Sequence, residues 1–170
     1  VKIVFVDGYN VINSWPNLKT EKDHSLEGAR NKLINILHNY SVFNDCKVII
    51  VFDAYKVHRS LENKEQINKN ITVVFTKDGE TADGYIERKV HSLGRRVEIY
   101  VVTSDYLEQQ TIFQRGAVRV SSLEFYSEVN TSENIIKNKA IGNKATNKNH
   151  LGDNVDKDVL ARLEAMRRSN

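Results

Sequence analysis

Asp7 and Asp53 each close a run of aliphatic and β-branched residues, Asp105 follows another such run by a couple of residues, and Asp83 falls in the first turn of an expected helix with Glu80 just before it. Ligands of open parallel sheets bind outside the carboxyl ends of the strands, so these aspartates are expected along one edge of one sheet. Carboxylates brought together without matching Lys or Arg repel one another unless hard divalent cations neutralise them. Oxygen ligands with no Cys or paired His favour Mg2+ or Mn2+ over zinc. Such a site suits phosphoryl chemistry, because two cations roughly 4 Å apart can activate a water and stabilise the leaving oxygen of a phosphodiester. Each acid alone reads as readily as a turn, a loop start or a helix cap. Their conjunction is what points to a site.

Several neighbours can support that chemistry. The amide of Asn10, three residues after Asp7, can hold a metal-bound water or a phosphate oxygen, or else close an Asx-turn. Thr103 and Ser104 can donate hydroxyl hydrogen bonds to a carboxylate or phosphate, with helix capping the plainer role for Ser104. Tyr55, Lys56, His58 and Arg59, just past Asp53, form a basic stretch with an aromatic that can track a phosphate backbone and stack a base, or be a solvated loop. Trp15-Pro16 is either a stacking surface or a loop anchor.

The elements that must position these residues follow from periodicity. Lys2 to Val6, Lys47 to Phe52, Ile71 to Phe75, Val97 to Val102 and the short Ala117 to Val120 have strand character. Leu26, Leu33, Ile34 and Leu37 recur at helical spacing after Ser25, a plausible cap. Thr81 to Leu93 reads as a helix stopped by Gly94, Tyr106 to Gln114 as one stopped by Gly116, and Ser122 to Val129 as a last one. Strands that are apolar almost throughout, alternating with helices, predict an α/β fold: a parallel β-sheet with helices on both faces.

A chain of 170 residues with 40% hydrophobic residues holds one good core and no second domain of common size. Residues 1–130 are expected to form it, 131–154 to be a polar flexible linker rich in Asn, Lys, Gly and Thr, and 155–170 a C-terminal amphipathic helix carrying Val159, Leu160, Leu163 and Met166. Cations and acids balance up to Asn130, so the net charge of +3 lies wholly in the tail, compatible with a polyanionic partner or with solvation. Cys46 is the single cysteine, which excludes a disulfide framework and a thiolate cage and reads as a buried thiol. No run is long and apolar enough for a membrane span, and the amino end enters a strand with no signal-peptide pattern, so a cytoplasmic protein is expected.

With those features in place, "VDGYNVI" at Val6 to Ile12, "VFDAY" at Val51 to Tyr55, "VVFTKDGETADGYIE" at Val73 to Glu87 and "VVTSDYLEQ" at Val101 to Gln109 resemble the YacP-like branch of the NYN domains, which belong to the PIN-like nucleases. The resemblance spans nearly all of Val1 to Val129 in the expected order. It implies a PIN-like Rossmannoid sheet and endoribonuclease activity on single-stranded RNA that depends on Mg2+ or Mn2+. It carries acidic, metal-binding roles onto Asp7, Asp83 and Asp105, with Asn10 beside the first and Asp53 less securely. It further implies a connection with messenger RNA decay and the ribosome as a partner; the lack of a long apolar run and of a Gly-rich turn leaves no membrane and no small-molecule cofactor expected.

Other readings compete. An RNA- or ribosome-binding protein on the same fold would need no metal, but the intact Asp7, Asp83 and Asp105 weigh against vestigial acids. An aspartate-based phosphatase would bring a second Asp where Tyr9 stands, and a receiver domain an acidic pair in its first loop. Dinucleotide binding calls for a Gly-rich turn, and Gly8 is alone.

Overall fold

The computed structural model describes residues 1–54, 63–104 and 116–168, and the chain divides into two compact units, Val1–Ser132 and Glu133–Asn170. Five strands of the first unit are parallel: β1 (Lys2–Asp7), β2 (Lys47–Phe52), β4 (Ile71–Phe75), β5 (Glu98–Val102) and β6 (Val118–Val120). A sixth, β3 (Asn63–Gln66), runs antiparallel to β4 at one edge, giving the order β3-β4-β2-β1-β5-β6. The alternation of side chains puts Val4 and Val6 of β1 against one helical layer and Phe5 against the other, which is why its sequence is apolar throughout.

On the first face lie α1 (Gly8–Ser14), α2 (Pro16–His24), α3 (Leu26–Phe43) and the start of α5 (Ser122–Arg168). Leu33 and Leu37 of α3 pack with Trp15, Leu18, Phe125 and Val129 over Val48 and Ile50. The second face is covered by α4 (Ala82–Leu93), through Ala82, Tyr85, Ile86 and Val90 on Phe5, Val51 and Val74. Strand β1 leads to β2 through helices on one face, whereas β4 reaches β5 across β2 and β1 through α4 on the other. The change of direction puts a switch point at the carboxyl end of β1, where an open sheet leaves a crevice.

Neither α1 nor α2 is legible from apolar periodicity, although Pro16 at the first turn of α2 is a starting signal of its own. Strand β3 is polar because an edge strand has one ladder to satisfy and little surface to bury. Trp15 proves to be an anchor: it is fully buried, its indole N–H donates to the Ser122 carbonyl at 2.8 Å, and its ring packs on Phe125 and Tyr126. Ser121 and Glu124 form a capping box at the entry to α5, each side chain accepting from the other's backbone N–H.

The largest departure from expectation is residues 131–154. Instead of a flexible linker ahead of a separate helix at 155–170, they are helical, part of α5 from Ser122 to Arg168. A shortage of apolar side chains removes a core but not a helix: Asn, Lys and Thr each cost at most about 0.7 kcal/mol relative to Ala, and no proline interrupts the segment.

Gly8 follows from the packing of β1 on β2. A Cβ there would stand 2.2 Å from the Phe52 ring, a clash with a fully buried side chain. Gly8→Ala should therefore destabilise by about 1–3 kcal/mol, the usual cost of overpacking, or roughly 2–12 °C in Tm for a chain of this size. Thermal melts of Gly8→Ala in wild-type and Phe52→Leu backgrounds check it: coupled residues give a smaller cost in the second.

Candidate active site

Asp7 is both the last residue of β1 and the N-cap of α1, its carboxylate accepting from the Asn10 N–H at 3.2 Å. Asp53, the first residue after β2, accepts from the Ala82 N–H and so ties the first turn of α4 to the end of the neighbouring strand. That tie brings Asp83, one residue on, to Asp7: the two carboxyl groups share a hydrogen bond. Thr81 caps α4 by accepting from the Gly84 N–H at 3.1 Å. Buried Thr76 completes the stitching, accepting from the Ala54 N–H at 3.1 Å and donating to the Glu80 carbonyl at 2.7 Å.

Asp7, Asp53 and Asp83 thus meet at the carboxyl edge of the sheet, and the electrostatics record it. Burial pushes the Asp7 carboxyl up to about 7, Asp83 adds to the rise, Asp53 adds less, and the Asn10 N–H only partly opposes them. Glu80 stands apart, because its carboxylate is held by Arg88, with Nε at 3.0 Å from Oε1 and Nη2 at 3.3 Å from Oε2. Arg88 is therefore directed to Glu80 and not to Asp7.

Asn10 has a defined orientation. Its Oδ1 accepts from the Ser104 N–H at 3.2 Å and from the Ser122 hydroxyl. A backbone N–H can only donate, so the atom facing it must be the oxygen, and the amide NH2 is turned elsewhere. Ser104, expected on RNA, donates its own hydroxyl to Ser122 Oγ at 3.1 Å, so its position links the end of β5 to α5. Asp105, Tyr55, Lys56, His58 and Arg59 lie outside the described residues.

Among the described residues no three His, Cys, Asp or Glu side chains are drawn close enough to hold a metal ion as they stand. The donor set nonetheless fits a hard divalent cation: oxygen ligands only, two carboxyl groups in direct contact, and a third carboxylate raising the proton affinity of the first. Sequence reading missed Thr76, Ser122 and the Arg30 contact with Tyr9, whose hydroxyl accepts from Arg30 Nη1 at 3.2 Å. None of the three carries a local signal, since each acts across the fold.

A mostly parallel sheet with carboxylates gathered at its carboxyl edge is the architecture of the PIN-like folds. The chain belongs to the YacP-like NYN domain family, whose pattern matches residues 4–168. It is 41% identical over 170 residues to the protein YacP of Bacillus subtilis (strain 168), covering 99% of this chain and 98% of that one. The crystal structure of Rae1 (YacP) from Bacillus subtilis superposes with a TM-score of 0.74 at 40% identity, over 99% of this chain and 95% of that one. A tryptophan-to-leucine mutant of the same protein gives 0.70 at 41% identity, over 81% and 80% of the two chains. The match reaches residue 168, so the pattern of the family includes the second unit.

The raised Asp7 group has a sign that can be tested. In the unfolded chain it loses its proton near 3.8, whereas in the folded, metal-free protein it keeps it up to about 7. Its contribution to stability is therefore complete below pH 3.8 and is lost as the pH rises through 7. Asp7→Asn should flatten that decline and raise the Tm of the chelator-treated protein at pH 7.5 by a few degrees, each kcal/mol being worth about 2–4 °C. Calorimetry of both proteins from pH 5 to 8 checks it.

Proposed function

We propose that the protein is a metal-dependent endoribonuclease that cuts single-stranded RNA, with messenger RNA on the ribosome as its substrate. The observation that carries this reading is the meeting of Asp7 with Asp83 and Asp53 at the sheet edge, an excess of negative charge that a divalent cation would neutralise. Membership of a PIN-like nuclease family supports it.

In this reading Asp7, Asp83 and Asp105 hold Mg2+ or Mn2+, which when bound supplies Lewis-acid stabilisation and an activated water for phosphodiester hydrolysis. Asp53 positions Asp83 by holding the N-terminus of α4, the role its bond to Ala82 supports. Asn10, with its oxygen engaged by Ser104 and Ser122, can turn its amide NH2 to a phosphate oxygen. Ser104 lies beside it at the end of β5, and a contact with phosphate would redirect the O–H now given to Ser122. Tyr55, Lys56, His58 and Arg59 track the backbone and stack a base. The ribosome supplies positioning that a domain of balanced charge lacks, and the basic surplus from Thr131 onward suits a polyanionic partner. The chain works in the cytoplasm, where that partner is found.

Cleavage of a labelled single-stranded RNA should require Mg2+ or Mn2+ and stop with chelator. Asp7→Asn should lower it at least about a hundredfold, the scale on which loss of one charge-stabilising group slows a reaction, while the protein stays folded. Undiminished cleavage by that variant would refute the role of Asp7. Lys56→Glu with Arg59→Glu should lower cleavage in a translating extract and make binding less salt-dependent, with little change in the melting temperature. Equal cleavage of naked and translated RNA would remove the ribosome from the proposal.

A further inference from the structure

A cavity of about 260 Å3 opens between α3 and the strands β3 and β4, lined by Glu27, Arg30, Asn31, Glu65, Ile67 and Phe75 among others. Phe52, which also lines it, and Phe75 are the last residues of β2 and β4, so the cavity opens at the end of the sheet that carries the acids and runs back along β4 to Ile67, whose N–H donates to the Ile71 carbonyl at the start of that strand. Asp53 follows Phe52 directly. On the other side Arg30 reaches the hydroxyl of Tyr9, two residues beyond Asp7, and the Tyr9 ring packs on Phe52 with centroids 5.0 Å apart.

The lining divides by chemistry. Phe75 stacks on Phe52 with centroids 5.5 Å apart and an interplanar angle of 26°, and with Ile67 it offers an apolar wall. Ile67 is 43% exposed, so the apolar wall is open to solvent on that side. Arg30 is half-buried, with its guanidinium over the Phe75 ring at 5.9 Å from the centroid. Of its five N–H donors, one is given to Tyr9, and among the described residues neither Glu27 nor Glu65 forms an ion pair with it. A half-buried guanidinium with donors in hand, between two carboxylates and an amide, is arranged to meet a ligand that both accepts and donates in one plane.

We propose that this cavity takes one nucleobase of the RNA beside the cut bond, and that it selects guanine. The proposal rests on the reading of the protein as an RNA nuclease. At about 260 Å3, below the usual range of drug-sized pockets, there is room for one flat heterocycle. Single-stranded RNA is read by splaying a base onto an apolar or aromatic wall and bonding its edges. Guanine presents O6 and N7 as a pair of acceptors that match two N–H donors of an arginine. Its N1–H and N2 amine can donate to Glu27 or Glu65. Adenine presents an amine where guanine has O6, so two donors would face each other at Arg30.

The test uses the full chain with Mn2+ or Mg2+ and single-stranded RNAs in which each guanine near the cut is replaced in turn by adenine or by inosine, which lacks only the N2 amine. At one position kcat/KM should fall about tenfold or more with adenine, the usual discrimination of a bidentate pair, and by less with inosine. Arg30→Met and Glu65→Gln should each shrink that preference to about twofold or less. Because Arg30 also holds Tyr9, the readout is the ratio between bases and not the rate; Glu65 sits on the edge strand, away from that contact. Equal cutting of all substrates by the wild type, or an undiminished preference in both variants, would overturn the proposal. If no RNA is cut with either metal, the nuclease reading has failed, and the pocket is judged by titrating guanosine and adenosine monophosphates. Preference for the guanine nucleotide supports it, and equal or absent binding overturns it.

Discussion

Asp7 stands half-buried against Asp83 with Asp53 close by, an arrangement that costs free energy, and much of the surrounding chain is explained by what is needed to hold it. Repulsion alone would push α4 off the sheet edge. The Asp53 carboxylate resists this by accepting from the first N–H of that helix, so one acid positions another through the backbone. Thr76 fastens the same loop from beneath, and Gly8 lets β1 and its helix approach Phe52 closely enough to present Asp7 at the same level. Apolar packing on both faces then keeps the frame rigid.

The division between what the sequence discloses and what it hides is physical. Val4 to Val6, Val48 to Phe52 and Val73-Val74 are covered on both faces, so their composition alone names them as parallel strands, and the acids that follow fall on one edge by topology. Residues 63–66 pair on one side only and carry no such mark. Glu80 and Asp83 look equivalent in sequence, yet one is neutralised by Arg88 and the other faces Asp7, a difference set by which side of the α4 N-terminus each occupies. Ser122 and Asn10 are 112 residues apart, and no local pattern can announce their bond. Trp15 is ambiguous in a loop sequence and unambiguous once α5 lies over it.

Composition misled in one place. Residues 131–154 lack the apolar stripe that marks a packed helix, yet they are helical. Helix propensity and burial are separate quantities, and Lys, Asn, Thr and Ala in this stretch oppose a core without opposing the backbone hydrogen bonds. The family match to residue 168 indicates that this segment belongs to the common design and is not an accessory of one chain.

The bond from Asn10 to Ser104 and Ser122 has a temporal meaning as well as a spatial one. Synthesis proceeds from the amino end, and contacts of high sequence separation form only after both partners exist. β1 and α1 emerge first, but the partners that orient Asn10 arrive some hundred residues later, and Trp15 waits for the same serine. The acidic edge consequently stays unfinished in a growing chain until the start of α5 has left the exit channel.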